Sequence, residues 1–313
     1  MYCNTQKISC QEVLVDRGRN GKVKPWAVYK LSNAYIATAY DEIDINKSKR
    51  MRDCASWLEF DRSESGMKLH NANFCRVRLC PICAWRRSLK TYGQVSAVVD
   101  ELGDDYRYIF VTLTCRNCYP DELSDTITNL LKAFNLLIKY KACKQAFKGI
   151  FRGLEVTHNV QANTYHPHLH LLVAVNKSYF SSRYYISQEL LTNLWKKALK
   201  ADYTPIVHIE SIKQSKQKAI AEVAKYSTKA SDIICFDDWD LTVDTVRVLD
   251  TSLNNRRLTG WYGVFRDCHK RLHLDDSEDG DLVHTETDVN KADDEVQKIV
   301  YTWHTGYSQY IKS

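Results

Sequence analysis

The sequence has no apolar run approaching the roughly 18 residues that a membrane-spanning helix needs. Its opening stretch, MYCNTQKISC, has none of the apolar centre of a secretory signal. These two absences argue against a membrane partner and against export, so a cytoplasmic setting is expected. No internal repeat recurs, and no low-complexity linker interrupts the chain apart from one acidic stretch. With no export signal, the 11 cysteines do not read as a disulfide framework; free thiols or metal ligands are the better expectation.

What is present is an ordinary globular composition: 313 residues, 44% hydrophobic and 26% charged. That is enough chain for one to three domains and for a core that needs no covalent staples. The net charge of +6 is unevenly spread. Residues 275–295, DDSEDGDLVHTETDVNKADDE, are strongly acidic and are expected to form a solvated, partly disordered tail, or else a partner-binding one. Without them the chain is clearly basic, which suggests a polyanionic partner.

Residues 1–53 are polar and basic, with DRGRNGKVKPW as a loop, and a cysteine- and arginine-rich region follows from Cys54 to about Lys90. A helix is expected from Arg86 to about Glu101. Strands are expected at 106–114, 149–159 and 166–175, the last two forming an antiparallel hairpin about QANT. Residues 121–147 carry helical spacing for one or two helices, 187–200 read as an amphipathic helix and 204–212 as a short strand. A helix bearing Glu222 and Tyr226 comes next. The order predicts an α+β fold about an antiparallel sheet. Three segments are expected: a basic cysteine-containing region over 1–100, a central domain over 101–235 and a C-terminal region over 236–313.

In HPHLHLLVAV (166–175) the strand period puts His168 and His170 on one face and Leu169, Leu171 and Val173 on the other. Two imidazoles so placed can converge on one metal ion. Glu155, on the preceding strand, can reach the same face as an oxygen ligand; His166, in phase but before Pro167, is the competing third ligand. Two histidines and a carboxylate with open positions suit Mg²⁺ or Mn²⁺ acting on a phosphate. Three histidines on a sheet surface are the plainer alternative.

Four stretches together resemble one family. FVTLT (110–114), HPHLHLLVAV and EVAKYSTK (222–229) are similar to the three motifs of the HUH endonucleases, and FCRVRLCPICAWRR (74–87) resembles the extra cysteine motif of one branch, the replication initiators of small Gram-positive rolling-circle plasmids. GWYGVFRDCHKRLHLDD (260–276) is similar to their C-terminal region. The resemblance spans roughly residues 10–290. It implies a five-stranded antiparallel sheet with the histidines on a central strand. It also implies an enzyme that nicks one strand of a plasmid origin through a tyrosine that stays linked to the DNA 5′ end, leaves a 3′-OH primer, and later closes the circle. Duplex and single-stranded origin DNA and a host helicase are the partners it implies.

On that resemblance Tyr226 is the expected nucleophile, with Glu222 one helical turn earlier on the same face. A single-tyrosine design implies that Glu222 activates water for the terminating cut; pairing with Lys225 is its plain alternative. Lys225 and Lys229 are placed to hold DNA phosphates or to ease loss of the phenolic proton. Cys54, Cys75, Cys80 and Cys83 can complete a tetrahedral structural Zn²⁺ site. A rival set brings in Cys115 and Cys118, while Cys3, Cys10, Cys143, Cys235 and Cys268 are expected to be buried or free. Arg76, Arg78, Arg86 and Arg87 make the zinc region a candidate duplex-binding surface, unless they pair with the chain's own acidic residues. A zinc-dependent DNA-binding regulator without catalysis, and a relaxase or transposase of the same superfamily, are the competing functional readings.

Overall fold

The structure is a computed structural model and describes residues 12–18, 21–64, 66–212, 216–225, 228–285 and 297–313. In chain order its elements are α1 (Trp26–Tyr40), α2 (Ile45–Asp53), β1 (Trp57–Ser63), β2 (Gly66–Ala72), α3 (Pro81–Leu102), β3 (Tyr106–Thr114), α4 (Leu123–Leu137), α5 (Lys141–Ala146), β4 (Phe147–Asn159), β5 (Thr164–Asn176), α6 (Gln188–Leu199), β6 (Val207–Ser211), α7 (Lys216–Val223), α8 (Trp239–Leu253), β7 (Thr259–Gly263), α9 (Val264–Arg271), β8 (Gln297–His304) and β9 (Gln309–Lys312). The mixed α+β class and the 149–159/166–175 hairpin follow the sequence pattern. The chain divides into two compact units, Met1–Cys83 with Asp288–Ser313, and Ala84–Thr287. This differs from three consecutive segments, because β8 and β9 pair with the N-terminal region.

The first unit carries the sheet β2-β1-β8-β9, antiparallel throughout. Its α1, α2 and four strands fall in stretches for which the sequence pattern gave no element. The core holds Trp26, Phe60 and Tyr301, with Phe60 edge-on to both other rings. The strands are short and half-exposed, so they lack the continuous apolar run by which a buried strand is recognised.

The second unit is built on a five-stranded sheet in the order β6-β3-β5-β4-β7, with each adjacent pair antiparallel. β5 is central and buried on both faces for most of its length, which explains its near-continuous run of Leu, Val and Ala. The hairpin joining β4 to β5 turns through Asn163, whose φ of 44° is a left-handed value that Asn tolerates. One face of β5 continues from the histidines into Leu172 and Ala174. There it packs with Val95, Val98 and Val99 of α3, Ile220 and Val223 of α7, and Phe265 and Cys268 of α9. The other face is covered by α4, which in turn packs against α6 and α8. The buried stripe of α4, Leu123, Ile127, Leu130, Phe134 and Leu137, follows the helical period; each such side chain contributes at most about 1.5–3 kcal/mol.

Two expectations are overturned here. Residues 275–285 are no solvated tail. Glu278 is buried and its Oε1 accepts from the backbone N–H groups of Leu258 and Thr259, both at 2.8 Å, while the Thr259 hydroxyl donates to it at 2.9 Å. Lys90, buried on α3, pairs with Asp275 and donates to the Asp281 carbonyl at 2.6 Å. The acidic groups are held because buried donors face them, which composition alone cannot reveal. Residues 286–296 lie outside the described residues. The second correction concerns Arg86, which is only 3% exposed. Its Nε donates to the Leu282 carbonyl at 2.9 Å and its Nη2 to the Val283 carbonyl at 2.6 Å, so it braces this segment and offers no surface to DNA. Arg87 likewise gives its Nε to the Glu278 carbonyl, at 3.1 Å.

Candidate metal centres and active site

The strand period and the sheet register together assemble the histidine cluster. His168 and His170 share a face of β5; Glu155 of β4 is the register partner of His168, and Thr112 of β3 is the partner of His170. Glu155 Oε2 lies 3.0 Å from His170 Nε2 and 3.5 Å from His168 Nε2. The other ring nitrogens are also engaged. His168 Nδ1 is 3.0 Å from the His166 carbonyl, which fixes it as the donor, and His170 Nδ1 is 3.2 Å from the Thr112 hydroxyl. Both rings therefore turn Nε2 toward the carboxylate, as metal-binding imidazoles are oriented by a partner on the second nitrogen.

All three residues are buried, at 5% exposed for Glu155 and 9% for each histidine. Burial alone would raise the Glu155 carboxyl, but hydrogen bonds and charge from His168 and His170 outweigh it and hold the group well below the usual carboxylate range. One ligand atom from each residue lies within 4.8 Å of the others, so the set can hold a cation. His166 is not part of the set, since its Nε2 turns to the Cys115 carbonyl at 3.1 Å. Thr112 is the residue that motif reading passed over. The alternation of FVTLT along β3 was the available signal, because it puts Thr112 on the histidine face.

α7 ends at Val223, so the continuous helical face expected for Glu222 and Tyr226 is not what the described residues show. Glu222 pairs with Lys225, and both side chains are about one-third exposed. Tyr226 lies outside the described residues, as does Ser227. The described residues on either side of them approach the cluster. A Cβ at Gly153, the register partner of His170, would come 2.7 Å from the Val223 carbonyl oxygen, so the end of α7 lies directly on β4. Beyond, Lys229 Nζ is 3.6 Å from Glu155 Oε1.

The four cysteines of the zinc motif are also brought together. Cys54 precedes β1, Cys75 lies between β2 and α3, and Cys80 and Cys83 straddle the start of α3, where Pro81 costs no helical hydrogen bond. The Sγ separations are 3.6 Å for Cys54–Cys83 and Cys80–Cys54, and 3.7 Å for Cys75–Cys83. This is far beyond a disulfide bond and close to the edge of about 3.8 Å set by four thiolates at a tetrahedral Zn–S distance. The backbone supports it: Arg76, at a left-handed φ of 61°, donates its N–H to Cys83 Sγ at 3.3 Å, and the Cys75 N–H donates to Cys54 Sγ at 3.4 Å. The cluster is compatible with structural zinc. The rival pair is engaged elsewhere, Cys115 Sγ with the Pro167 carbonyl and Cys118 Sγ with that of Tyr165. Cys143, Cys235 and Cys268 are buried free thiols, and Cys3 and Cys10 lie outside the described residues.

A central-strand pair of histidines with a facing carboxylate on an antiparallel five-stranded sheet, in a chain that also carries a cluster of four cysteines, defines an α+β protein with two clusters that could each hold a metal ion. The comparisons narrow the class. The Replication protein family matches residues 66–311. The Protein rep of Bacillus amyloliquefaciens is 36% identical, over 96% of this chain and 97% of that protein. A Protein rep of Bacillus sp is 42% identical over 76% and 84%, and that of Streptococcus pneumoniae serotype 2 is 36% identical over 96% and 95%. No solved structure matches the chain. The chain belongs to the Replication protein family, the rolling-circle plasmid initiators that its four motifs resemble.

Proposed function

We propose that this initiator nicks one strand of its plasmid origin with Tyr226 and rejoins the strand when a round of replication ends. The observation that supports this most is the convergence of His168 Nε2, His170 Nε2 and a Glu155 oxygen, each ring braced through its other nitrogen. His168, His170 and Glu155 would hold a hard divalent ion, Mn²⁺ or Mg²⁺. When bound, such an ion polarises a phosphate and offsets charge developing on its oxygens.

The remaining steps belong to the chain itself. The Tyr226 hydroxyl loses its proton and attacks the scissile phosphorus; the new bond joins tyrosine oxygen to phosphorus, the bond to the 3′ oxygen breaks, and that oxygen leaves as a protonated primer end. A phenol has a pKa near ~10 and is a weak nucleophile at neutral pH, so nearby cationic charge favours the reaction. Lys229, 3.6 Å from Glu155, is suited to supply it. At termination Glu222 is the candidate base for a water, once DNA phosphates compete for Lys225, its present partner. Zn²⁺ held by Cys54, Cys75, Cys80 and Cys83 would serve structure. Arg76 and Arg78 remain the candidate duplex contacts beside it, and a host helicase and a cytoplasmic setting belong to the same reading.

The test is incubation with a supercoiled plasmid carrying the protein's own origin. A covalent 5′ adduct should form in the presence of Mn²⁺ and map to Tyr226 by mass spectrometry; Tyr226→Phe should bind the origin and give no adduct. An adduct that persists in Tyr226→Phe, or full nicking without a divalent ion, overturns the assignment.

A further inference from the structure

Beside the edge strand β7 lies a second cleft of about 380 Å³, within the range of small-ligand sites and separate from the histidine cluster. Arg152, Arg257 and Arg266 line it together with Trp261 and His269, and Asp276 is its only carboxylate among the described lining residues. Arg152 is an unusual residue for its place. It lies on the interior strand β4, 4% exposed, and its Nη2 donates to the carbonyls of Arg257 and Thr259 at 3.3 and 3.1 Å. Its Nε and Nη1 have no hydrogen-bond partner among the described residues, and neither does His269 Nε2. A Cβ at Gly260 would come 3.0 Å from the Tyr262 ring and hydroxyl and 3.3 Å from Arg152 Nη2, so glycine there lets that pair pack close against β7 beside the cleft. The Trp261 ring lies 4.5 Å from that of His269. Three guanidinium groups face one lining carboxylate, with Arg266 also paired outside the cleft to Asp267 at 3.4 Å. That positive excess, with an indole at the wall, is the chemistry of a phosphate beside a stacked base.

The sheet gives the cleft its distance from the reaction. Thr259, Gly153 and His170 are successive register partners across β7, β4 and β5. Thr259, at the rim of the cleft, therefore lies two strand spacings, about 10 Å, from His170, while Arg152 projects to the other face of the sheet over Phe134. A strand passing over the β7 edge brings neighbouring nucleotides to both. We propose that it binds the phosphate and base of a nucleotide flanking the cleaved bond in single-stranded origin DNA, and so helps to set register at the nick. The proposal rests on the strand-nicking reading. Asp276, which accepts from Arg257 Nη1 at 2.6 Å, holds that guanidinium in place until a phosphate competes for it.

The test uses the full chain with Tyr226→Phe, so that nothing is cleaved, and follows a short fluorescein-labelled oligothymidylate by anisotropy over a range of salt. Arg257→Gln with Arg266→Gln, both exposed, should weaken binding about five- to tenfold and flatten the log–log salt slope by about 0.7 for each phosphate that is no longer neutralised. Trp261→Leu should weaken binding with the slope unchanged. Arg247→Gln, on the exposed face of α8, serves as the charge control. Equal binding by parent and double variant overturns the cleft, and so does an equal loss in Arg247→Gln or competition by free thymidine monophosphate as strong as by the strand. A Tyr226→Phe parent that binds no single strand overturns the cleft as well, whereas unsubstituted protein that forms no adduct with its own origin overturns the nicking reading instead.

Discussion

Glu155 carries two relationships through its two oxygens, Oε2 toward both histidines and Oε1 toward Lys229. The first explains why a carboxylate that burial should neutralise stays ionised; the second ties the segment after Tyr226 to the cluster. Glu155→Gln keeps the shape and removes the charge. It should raise the Mn²⁺ concentration for half-maximal nicking at least about tenfold, with origin binding retained. Thr112→Val, which removes only the hydroxyl bracing His170, should have the same sign within about 10–100-fold, the range for groups that orient a metal ligand. A metal titration of nicking checks both, and an unshifted Thr112→Val curve would dismiss the bracing role.

Among the elements, α7 is held by its fit to β4. Glycine at 153 lets the Val223 carbonyl approach the sheet beside His170, and any side chain there meets backbone at 2.7 Å. Gly153→Ala should lift the end of α7, costing about 1–3 kcal/mol of stability as overpacking typically does and lowering nicking more than tenfold. Thermal melting and a nicking time course measure the two effects. Nicking at the parent rate would mean that the closeness of α7 to the sheet has no part in the reaction. The acidic segment shows the same dependence on neighbours: Lys90 and Arg86 of α3 turn residues 275–285 from a charge run into a docked strap.

At the scale of the whole molecule, each of the two units carries one cluster, and the two differ in chemistry. Four buried thiols suit a closed zinc site, while two imidazoles and a carboxylate leave coordination open. Purified, reduced protein should contain about one tightly held Zn²⁺. Cys80→Ser and Cys83→Ser should lose it and destabilise the first unit. Brief EDTA treatment should stop nicking, with Mn²⁺ restoring activity without refolding. Elemental analysis beside the activity assay checks this; zinc-free protein of full stability would remove the structural role.

The sequence by itself determined the α+β class, the central hairpin and the shared face of His168 and His170, because each follows from local period. It offered Cys54, Cys75, Cys80 and Cys83 with Cys115 and Cys118 as rivals, and only the fold brings the first four together and turns the rival pair elsewhere. It did not determine the third member of the histidine cluster, since Glu155 against His166 is settled by register across two strands and by the turn of His166 toward Cys115. Nor did it reveal the first unit's sheet, whose short half-exposed strands pair residues more than 200 positions apart. Arg86 reads as a DNA-binding residue in isolation and is a buried brace in the fold. The burial and partner of a charged side chain are properties of what packs around it, and only the tertiary structure supplies them.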